Sequence, residues 1–213
     1  MTGYKLAPSY NAAMDYINYH VGMGSTAEAV AAKYNISREA ADEFSYNSHV
    51  KAAAAIDGGK FTDQIVPVTV KEVFVKDNQR MESEHTVAVD EGVRRDTSIE
   101  GLARLRPVFK NKGTVTAGNS SQTSDGAAFV MVMSEEMVNK LNLKPIARLI
   151  SCAVGGLDPL YMGMGPCVAI PKAVKQAGIK LNDIEQIELN EAFAVQALGV
   201  IENAGLNPDI VNV

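Results

Sequence analysis

The sequence predicts an α/β fold, because its second half alternates apolar, strand-like runs with helices. Ala127 to Met133 is a continuous apolar run, as buried parallel strands tend to be, and Ser134 then caps a helix. Residues 184–189 form a second run, and apolar positions at helical spacing follow it. Residues 1–112 are mixed and loop-rich, which predicts an α+β region in front of the alternating part.

The first region contains two predicted helices. Ser25-Thr26-Ala27-Glu28 matches a capping box, which predicts a helix from there to about Lys33. Ser37 predicts the start of a second helix, because Glu39 follows in its first turn. Gly58-Gly59 predicts the end of that helix.

The remainder of this region is less regular. Gln64 to Val70 has the composition of a strand, which Pro67 restricts to a sheet edge. Residues 77–97 are polar and predict irregular structure, and Ser98 to Arg104 predicts one or two helical turns.

Strands and helices alternate after residue 113. Ala147 to Val154 predicts a strand, and Pro171 predicts the first turn of a helix that ends at Gly178. The strand to Leu189, a helix to about Ala204 and the start of one more strand at Ile210 complete the pattern. Because the sequence ends inside that last strand, we expect an incomplete domain.

Composition excludes several classes of protein. A net charge of −5 argues against general nucleic-acid binding, and the longest apolar runs are too short to span a bilayer. The start of the chain does not resemble a signal peptide. Two cysteines do not form a disulfide framework, so we expect a cytoplasmic protein. The three histidines are scattered, which predicts no metal site.

The clearest functional signal is the change from strand to helix at Asn190 and Glu191. Ligand sites in open α/β sheets form at the carboxyl ends of strands. An uncharged amide at that place can orient a water molecule or an oxyanion without titrating. The alternative is that both residues only cap the following helix.

Several sequence words, in order along the chain, resemble the thiolase family, whose members make or cleave 3-ketoacyl-CoA thioesters. Asn-Glu-Ala-Phe at 190–193 is similar to the family signature. The other matching words are Ile65-Val66-Pro67-Val68, Leu105-Arg106-Pro107-Val108-Phe109, Gly113 to Ser121, Asp125-Gly126-Ala127-Ala128 and Met162-Gly163-Met164-Gly165-Pro166.

The resemblance implies a layered α-β-α-β-α fold with a loop-rich covering domain. Residues 1–112 would be that loop domain, 113–144 the end of the amino-terminal core domain, and 145–213 the first half of the carboxy-terminal core domain. Thiolases also use a nucleophilic cysteine, a Gly-His-Pro histidine and a second cysteine near the end. None of these words occurs in the sequence, so we expect an internal thiolase fragment that is inactive alone.

The resemblance also implies roles for individual residues. Asn190 would hold a water molecule that forms part of an oxyanion hole, and Glu191 would orient its neighbours. Coenzyme A and acyl-CoA would bind as substrates, with no tightly bound cofactor. The residues beside the thioester, its pantetheine arm or its nucleotide would be Met23, Arg94, Phe109, Ala117, Ser121 and Phe193. Met162 would line the acyl pocket, although a buried methionine more often only packs.

The basic cluster and the two cysteines could each have a functional or a purely structural role. A basic cluster suits the phosphates of coenzyme A, although such a charge run is usually a solvated face; its members are Arg94, Arg95, Arg104, Arg106, Lys110 and Lys112. We expect Cys167 to be inert, because no local base accompanies it, and Cys152 to belong to the core.

The alternative to an enzyme fragment is a non-catalytic CoA-binding or structural module. The resemblance further implies a homo-oligomer, a dimer or tetramer, in the full-length enzyme, and the sequence predicts neither a nucleic-acid nor a membrane partner.

Overall fold

The computed structural model describes residues 16–213, apart from the Ile17 side chain, so the start of the predicted loop domain lies outside the described residues. The α-helices of this part are α1 (Met23–Lys33), α2 (Arg38–Asp57), α3 (Ile99–Ala103), α4 (Glu135–Lys140), α5 (Gly165–Ala177) and α6 (Ala194–Asn203). One two-stranded sheet, β1 (Val68–Lys76) and β2 (Gln79–Val87), accompanies them. Short 3-10 turns occur at Ile17–His20, Ala117–Asn119, Pro159–Met164, Leu181–Asp183 and Pro208–Ile210.

The helices begin and end largely where the capping residues predict. The Ser37 hydroxyl accepts a hydrogen bond from the Ala40 N–H at the start of α2, and Gly59 follows its end with a φ of +69°. The predicted start of α1 is wrong by three residues, because Gly22 rather than Ser25 is the N-cap. The Thr26 hydroxyl instead donates to the Met23 carbonyl, 2.7 Å away within the helix.

The segment predicted as irregular contains the second strand of a hairpin. β1 and β2 pair antiparallel from Val68 opposite Val87 to Lys76 opposite Gln79. The two-residue turn between them has φ values of +53° at Asp77 and +59° at Asn78, which is the geometry that favours tight hairpins. Nearly every residue of the hairpin is exposed. Its strands therefore lack the burial pattern from which β2 could be predicted.

The strands predicted at 127–133 and 147–154 are not formed within residues 16–213, because no described segment pairs with them. Phe129 is 96% exposed and Val130 is 88% exposed. The prediction that Cys152 belongs to the core is wrong for the same reason: its segment is uncovered, and the residue is exposed.

α5 begins earlier than predicted. Pro166 occupies the first turn, where a missing N–H costs nothing, and Pro171 lies inside the helix instead. The predicted end is confirmed, since Gly178 follows the helix in the left-handed conformation with a φ of +70°.

The core surrounds the contact between α1 and α6. Small side chains allow the two helices to lie close together, and a Cβ on Gly199 would come 3.2 Å from the Met164 sulfur. The buried apolar residues are Ala27, Val30, Ala31, Ala41, Val115, Met164, Ala194, Val195, Val200, Leu206 and Val211. This core holds the amino-terminal end of α6, and the segment that leads into it, in a fixed position.

Candidate active site

A cavity of about 470 Å³ opens beside the amino-terminal end of α6. Its walls come from α1, from the 159–164 turn with the start of α5, and from residues 187–193. The lining residues are Met23, Thr26, Ala27, Val30, Met162, Gly163, Pro166, Ile170, Ile187, Glu188, Leu189, Asn190, Ala192, Phe193 and Gln196. Most of them are apolar, so the cavity suits an apolar ligand with few polar groups.

Asn190 lines this cavity together with Met23 and Met162, and its side chain is exposed. The preceding segment is fixed by parallel pairing: the Ile187 N–H donates to the Ile210 carbonyl, and the Asn212 N–H donates to the Ile187 carbonyl, both at 2.9 Å. Asn190 therefore follows a bridge of the core rather than a free loop.

The Asn212 side chain continues this pairing beyond the backbone. Its Oδ1 accepts from the Leu189 N–H and its Nδ2 donates to the Leu189 carbonyl, each at 2.8 Å. One side chain thus satisfies both polar groups of the residue before Asn190. Sequence reasoning missed Asn212, because its role depends on a pairing between distant segments.

Glu191 points away from the cavity. Its carboxylate accepts from the Ser48 hydroxyl of α2 at 2.5 Å and from Asn212 Nδ2 at 2.7 Å. These bonds fix the loop between Asn190 and α6 against two other segments, which is an orienting geometry.

Phe193 and Phe109 connect the cavity to the 105–121 segment. Their rings meet edge to face, with centroids 6.1 Å apart. The Ser121 N–H donates to the Ala192 carbonyl at 2.9 Å. Phe109 also packs flat on Gly24, where any Cβ would collide with the ring. These contacts place Phe109 and Ser121 next to Phe193 and Ala192, which line the cavity together with Met23.

Phe109 lines a second cavity of about 280 Å³. Glu28 and Lys110 provide its charged groups, and Ser25 adds a hydroxyl. Ala117, by contrast, is exposed in the 117–119 turn and lines neither cavity.

Buried polar bonds hold the 113–121 segment in place. The Glu28 carboxylate, 6% exposed, accepts the N–H groups of Thr114 at 3.0 Å and Val115 at 2.9 Å. Asn119 donates to Asp42 at 2.9 Å, and Asp42 accepts from Arg38 at 2.7 Å. The signal that could have revealed Glu28 is an acidic residue among the buried, mostly apolar positions of α1.

The basic cluster is spread over the surface. Arg94 is exposed and lines neither cavity, and its backbone N–H donates to His49 Nδ1 at 3.2 Å. Arg95 instead forms a two-point ion pair with Asp57, at 2.7 and 2.9 Å, and this bond holds the pKa of Asp57 below its ordinary value. Burial lowers the pKa of His49, and the Arg94 charge acts in the same direction.

The two cysteines differ in setting. Cys167 is half-buried in α5, and burial raises the pKa of its thiol, which favours the unreactive form.

Within residues 16–213, no group of three or more His, Cys, Asp or Glu side chains is arranged to hold a metal ion. Nor does any helix of those residues combine the length and apolar composition of a membrane span.

Models of known protein families match most of the sequence. The amino-terminal domain model of thiolase matches residues 7–136, and the carboxy-terminal domain model matches residues 143–213. The chain therefore belongs to the thiolase family.

Individual relatives agree. The 3-ketoacyl-CoA thiolase of Bacillus subtilis is 50% identical over the whole chain and 55% of its own length. The peroxisomal 3-ketoacyl-CoA thiolase 1 of Arabidopsis thaliana is 47% identical over 90% of the chain and 43% of its own length.

Solved structures agree as well. The Bacillus anthracis acetyl-CoA acetyltransferase matches with a TM-score of 0.85 and 38% identity, over 99% of this chain and 53% of that one. The human mitochondrial 3-ketoacyl-CoA thiolase matches with a TM-score of 0.81 and 36% identity. The match covers 99% of this chain and 54% of the human chain. The predicted α/β thiolase fold is confirmed, and the chain spans about half the length of these relatives.

Proposed function

We propose that this chain carries the Asn190 side of a thiolase active site, in an enzyme that cleaves or forms 3-ketoacyl-CoA thioesters. The observation that carries the proposal is the cavity in which Asn190 faces Met23 and Met162, with Asn212 bonded to the residue before it. The names of the relatives, 3-ketoacyl-CoA thiolase and acetyl-CoA acetyltransferase, support the same reaction class.

The chemistry assigned to Asn190 is stabilisation of negative charge. In the family reaction a cysteine thiolate takes the acyl group, and a carbon–carbon bond breaks or forms beside a thioester carbonyl. Charge then develops on the carbonyl oxygen. A neutral amide that donates to that oxygen, directly or through a water molecule, lowers the barrier without itself changing protonation state. Glu191 acts in this proposal by fixing the loop, because both of its oxygen atoms are bonded to protein groups.

Coenzyme A would lie beside the cavity along Phe193 and its neighbours Phe109 and Ser121, near Ala117, with Arg94 at its phosphates. No tightly bound cofactor is part of the proposal. We further propose three domains, at residues 1–112, 113–144 and 145–213. The proposal also includes a homo-oligomeric full-length enzyme and a cytoplasmic location. Peroxisomal names among the plant relatives show that location varies within the family.

We also propose that the 213 residues alone do not catalyse thiolysis. The covalent route needs a thiolate and a base beside it. Cys167 is half-buried with a raised pKa, and Cys152 is exposed and does not line the cavity. Electrostatic assistance from Asn190 cannot open the covalent route without a nucleophile.

A chimera tests the proposal. The 213 residues would replace the matched region of the Bacillus subtilis relative, and thiolysis of acetoacetyl-CoA would be followed at the 3-ketoacyl absorbance. We expect turnover by the chimera and none by the 213 residues alone. Cys152→Ser and Cys167→Ser should leave the turnover unchanged.

Two outcomes would contradict the proposal. A folded chimera that binds coenzyme A without turnover would instead support a non-catalytic CoA-binding module. Turnover by the chain alone that disappears in Cys167→Ser would identify Cys167 as a nucleophile.

A further inference from the structure

The hairpin of β1 and β2 has an open edge. Every residue of its two strands except Val70 is exposed. Among residues 16–213, β1 pairs with β2 and with no other strand. Alternate residues of an antiparallel strand direct their backbone N–H and C=O groups to the same side, so half of those groups in β1 face away from β2. An unpaired edge of this kind is a template for pairing with another strand.

An exposed apolar run lies near the end of β1. Val73 is 57% exposed, Phe74 is 42% exposed and Val75 is 75% exposed. Because successive side chains of a strand point to opposite faces, the run places apolar surface on both faces of the hairpin. On β2, by contrast, Arg80 and Glu82 already form an ion pair at 2.7 Å. The apolar run makes β1 the better edge for a partner strand.

Two charged residues flank this apolar run. Glu72 and Lys76 lie two residues on either side of Phe74, so these three residues share one face of the strand. Within residues 16–213, neither Glu72 nor Lys76 forms a salt bridge. Both charges are therefore available to groups of a second molecule.

Symmetry restricts which residues can lie opposite each other if that second molecule is another copy of this chain. In a twofold antiparallel pair the axis is perpendicular to the sheet, so each face stays on its own side and the pair is centred on one residue. A pair centred on Lys71 or on Glu72 would place like charges directly opposite each other, which is destabilising. A pair centred on Val73 would place Glu72 opposite Phe74 and leave the charge without a partner. Centres nearer either end of β1 would leave part of the apolar run outside the paired segment.

We propose that two copies of this chain associate through β1, in an antiparallel pair centred on Phe74. In this register Glu72 of each copy lies opposite Lys76 of the other, and Val73 lies opposite Val75. The two Phe74 residues meet at the twofold axis, and the two hairpins form one four-stranded sheet. Opposite charges across the strands and burial of apolar surface both favour this arrangement. The inference names a contact surface for the proposed homo-oligomer and does not depend on the CoA site.

Sedimentation velocity of the 213-residue chain tests the inference. We expect the parent chain to self-associate as its concentration rises. Glu72→Lys would place two positive charges opposite each other at two points of the dimer, and Lys76→Glu would do the same with negative charges. Each change should weaken association at least about tenfold, because two attractive pairs become repulsive. Glu185→Lys, at an exposed position outside the hairpin, makes the same change in net charge and should keep the parent association.

A charge swap separates specific pairing from misfolding of the variants. A mixture of the Glu72→Lys and Lys76→Glu chains can form a heterodimer in which every cross-chain pair at positions 72 and 76 is again attractive. The mixture should therefore associate as the parent chain does, although each variant alone does not. The double variant Glu72→Lys/Lys76→Glu should regain self-association for the same reason.

Three results would overturn the inference. One is a parent chain that stays monomeric at every concentration. Another is association that Glu72→Lys leaves unchanged, in which case the chain associates through another surface and the proposed homo-oligomer stands. The third is loss of association in both single variants without recovery in their mixture. None of these results bears on CoA binding, so the catalytic part of the proposed function is tested separately.

Discussion

The molecule contains a packed region and an uncovered region with similar apolar content. Around α1 and α6, Val30, Val195 and Val200 are completely buried. In the chain between the 113–121 segment and α4, Phe129, Val130, Met131 and Val132 are each at least 80% exposed. An apolar run thus predicts burial only where another element of the described chain supplies the opposite surface. The cavity and Asn190 belong to the packed region.

The largest expected loss of stability follows removal of the buried carboxylate at Asp42. Asp42→Ala would leave the Arg38 guanidinium and the Asn119 amide without their shared acceptor. We expect a loss of about 3 kcal/mol, as for other broken buried pairs, measured by urea unfolding. Asp57→Ala is the control, because its ion pair with Arg95 is exposed and should contribute little. Equal losses in the two variants would contradict the contrast between buried and exposed contacts.

A matched pair of valines measures the same contrast for apolar contacts. Val200 is fully buried in α6, whereas Val130 is 88% exposed. Val200→Ala should cost about 2 kcal/mol from lost burial and the cavity left behind. Val130→Ala should leave the urea midpoint of the chain unchanged. A midpoint that falls as far in Val130→Ala would show that the 127–133 run is packed in solution.

Arg94 and Arg95 provide a matched pair for testing whether the basic cluster binds coenzyme A. Arg94 is free of the ion pair that engages Arg95 with Asp57. Arg94→Ala should weaken coenzyme A binding by about three- to tenfold, with the difference shrinking at high salt. Calorimetry with Arg95→Ala should give nearly the parent affinity. An unchanged affinity in Arg94→Ala would remove Arg94 from the site.

The smallest expected effect concerns pH. The pKa of His49 in the folded chain lies below its ordinary value of 6.5, so the unfolded chain takes up a proton first as the pH falls. Stability should be complete above pH 6.5 and decline as the pH falls toward the folded pKa. His49→Gln should remove this decline between pH 7.5 and 5, whereas His85→Gln on the exposed hairpin should not. A decline that persists in His49→Gln would assign it to other groups.

Local signals in the sequence predict much of the packed region. Ser37, Ser98 and Ser134 each cap the helix that follows them, because capping depends on a few neighbouring residues. Pro171 misled the prediction, since Pro166 occupies the first turn of α5 and the later proline is tolerated inside it.

The hairpin and the core strands show what local signals omit. The Asp77-Asn78 turn was not predicted because neither residue is glycine, although both adopt positive φ. The runs at 127–133 and 147–154 have the composition of buried strands, but pairing requires a neighbouring strand that residues 16–213 do not supply.

The site was only partly predictable for a related reason. Asn190, Met23, Met162 and Phe193 are recognised from sequence words, and the structure brings them to one cavity. The residues that hold the site act through partners far away in the chain: Glu28 bonds the 114–115 backbone, and Asn212 bonds Leu189.

The kinetics of Asn190→Ala test the central claim most directly. In the chimera with the Bacillus subtilis relative, loss of one oxyanion donor should lower kcat for acetoacetyl-CoA thiolysis by about 100- to 1000-fold, with KM nearly unchanged. Asn182→Ala, at an exposed position in the 181–183 turn, should retain the parent rate. A kcat for Asn190→Ala that matches that of Asn182→Ala would contradict the assignment of Asn190 to the reaction.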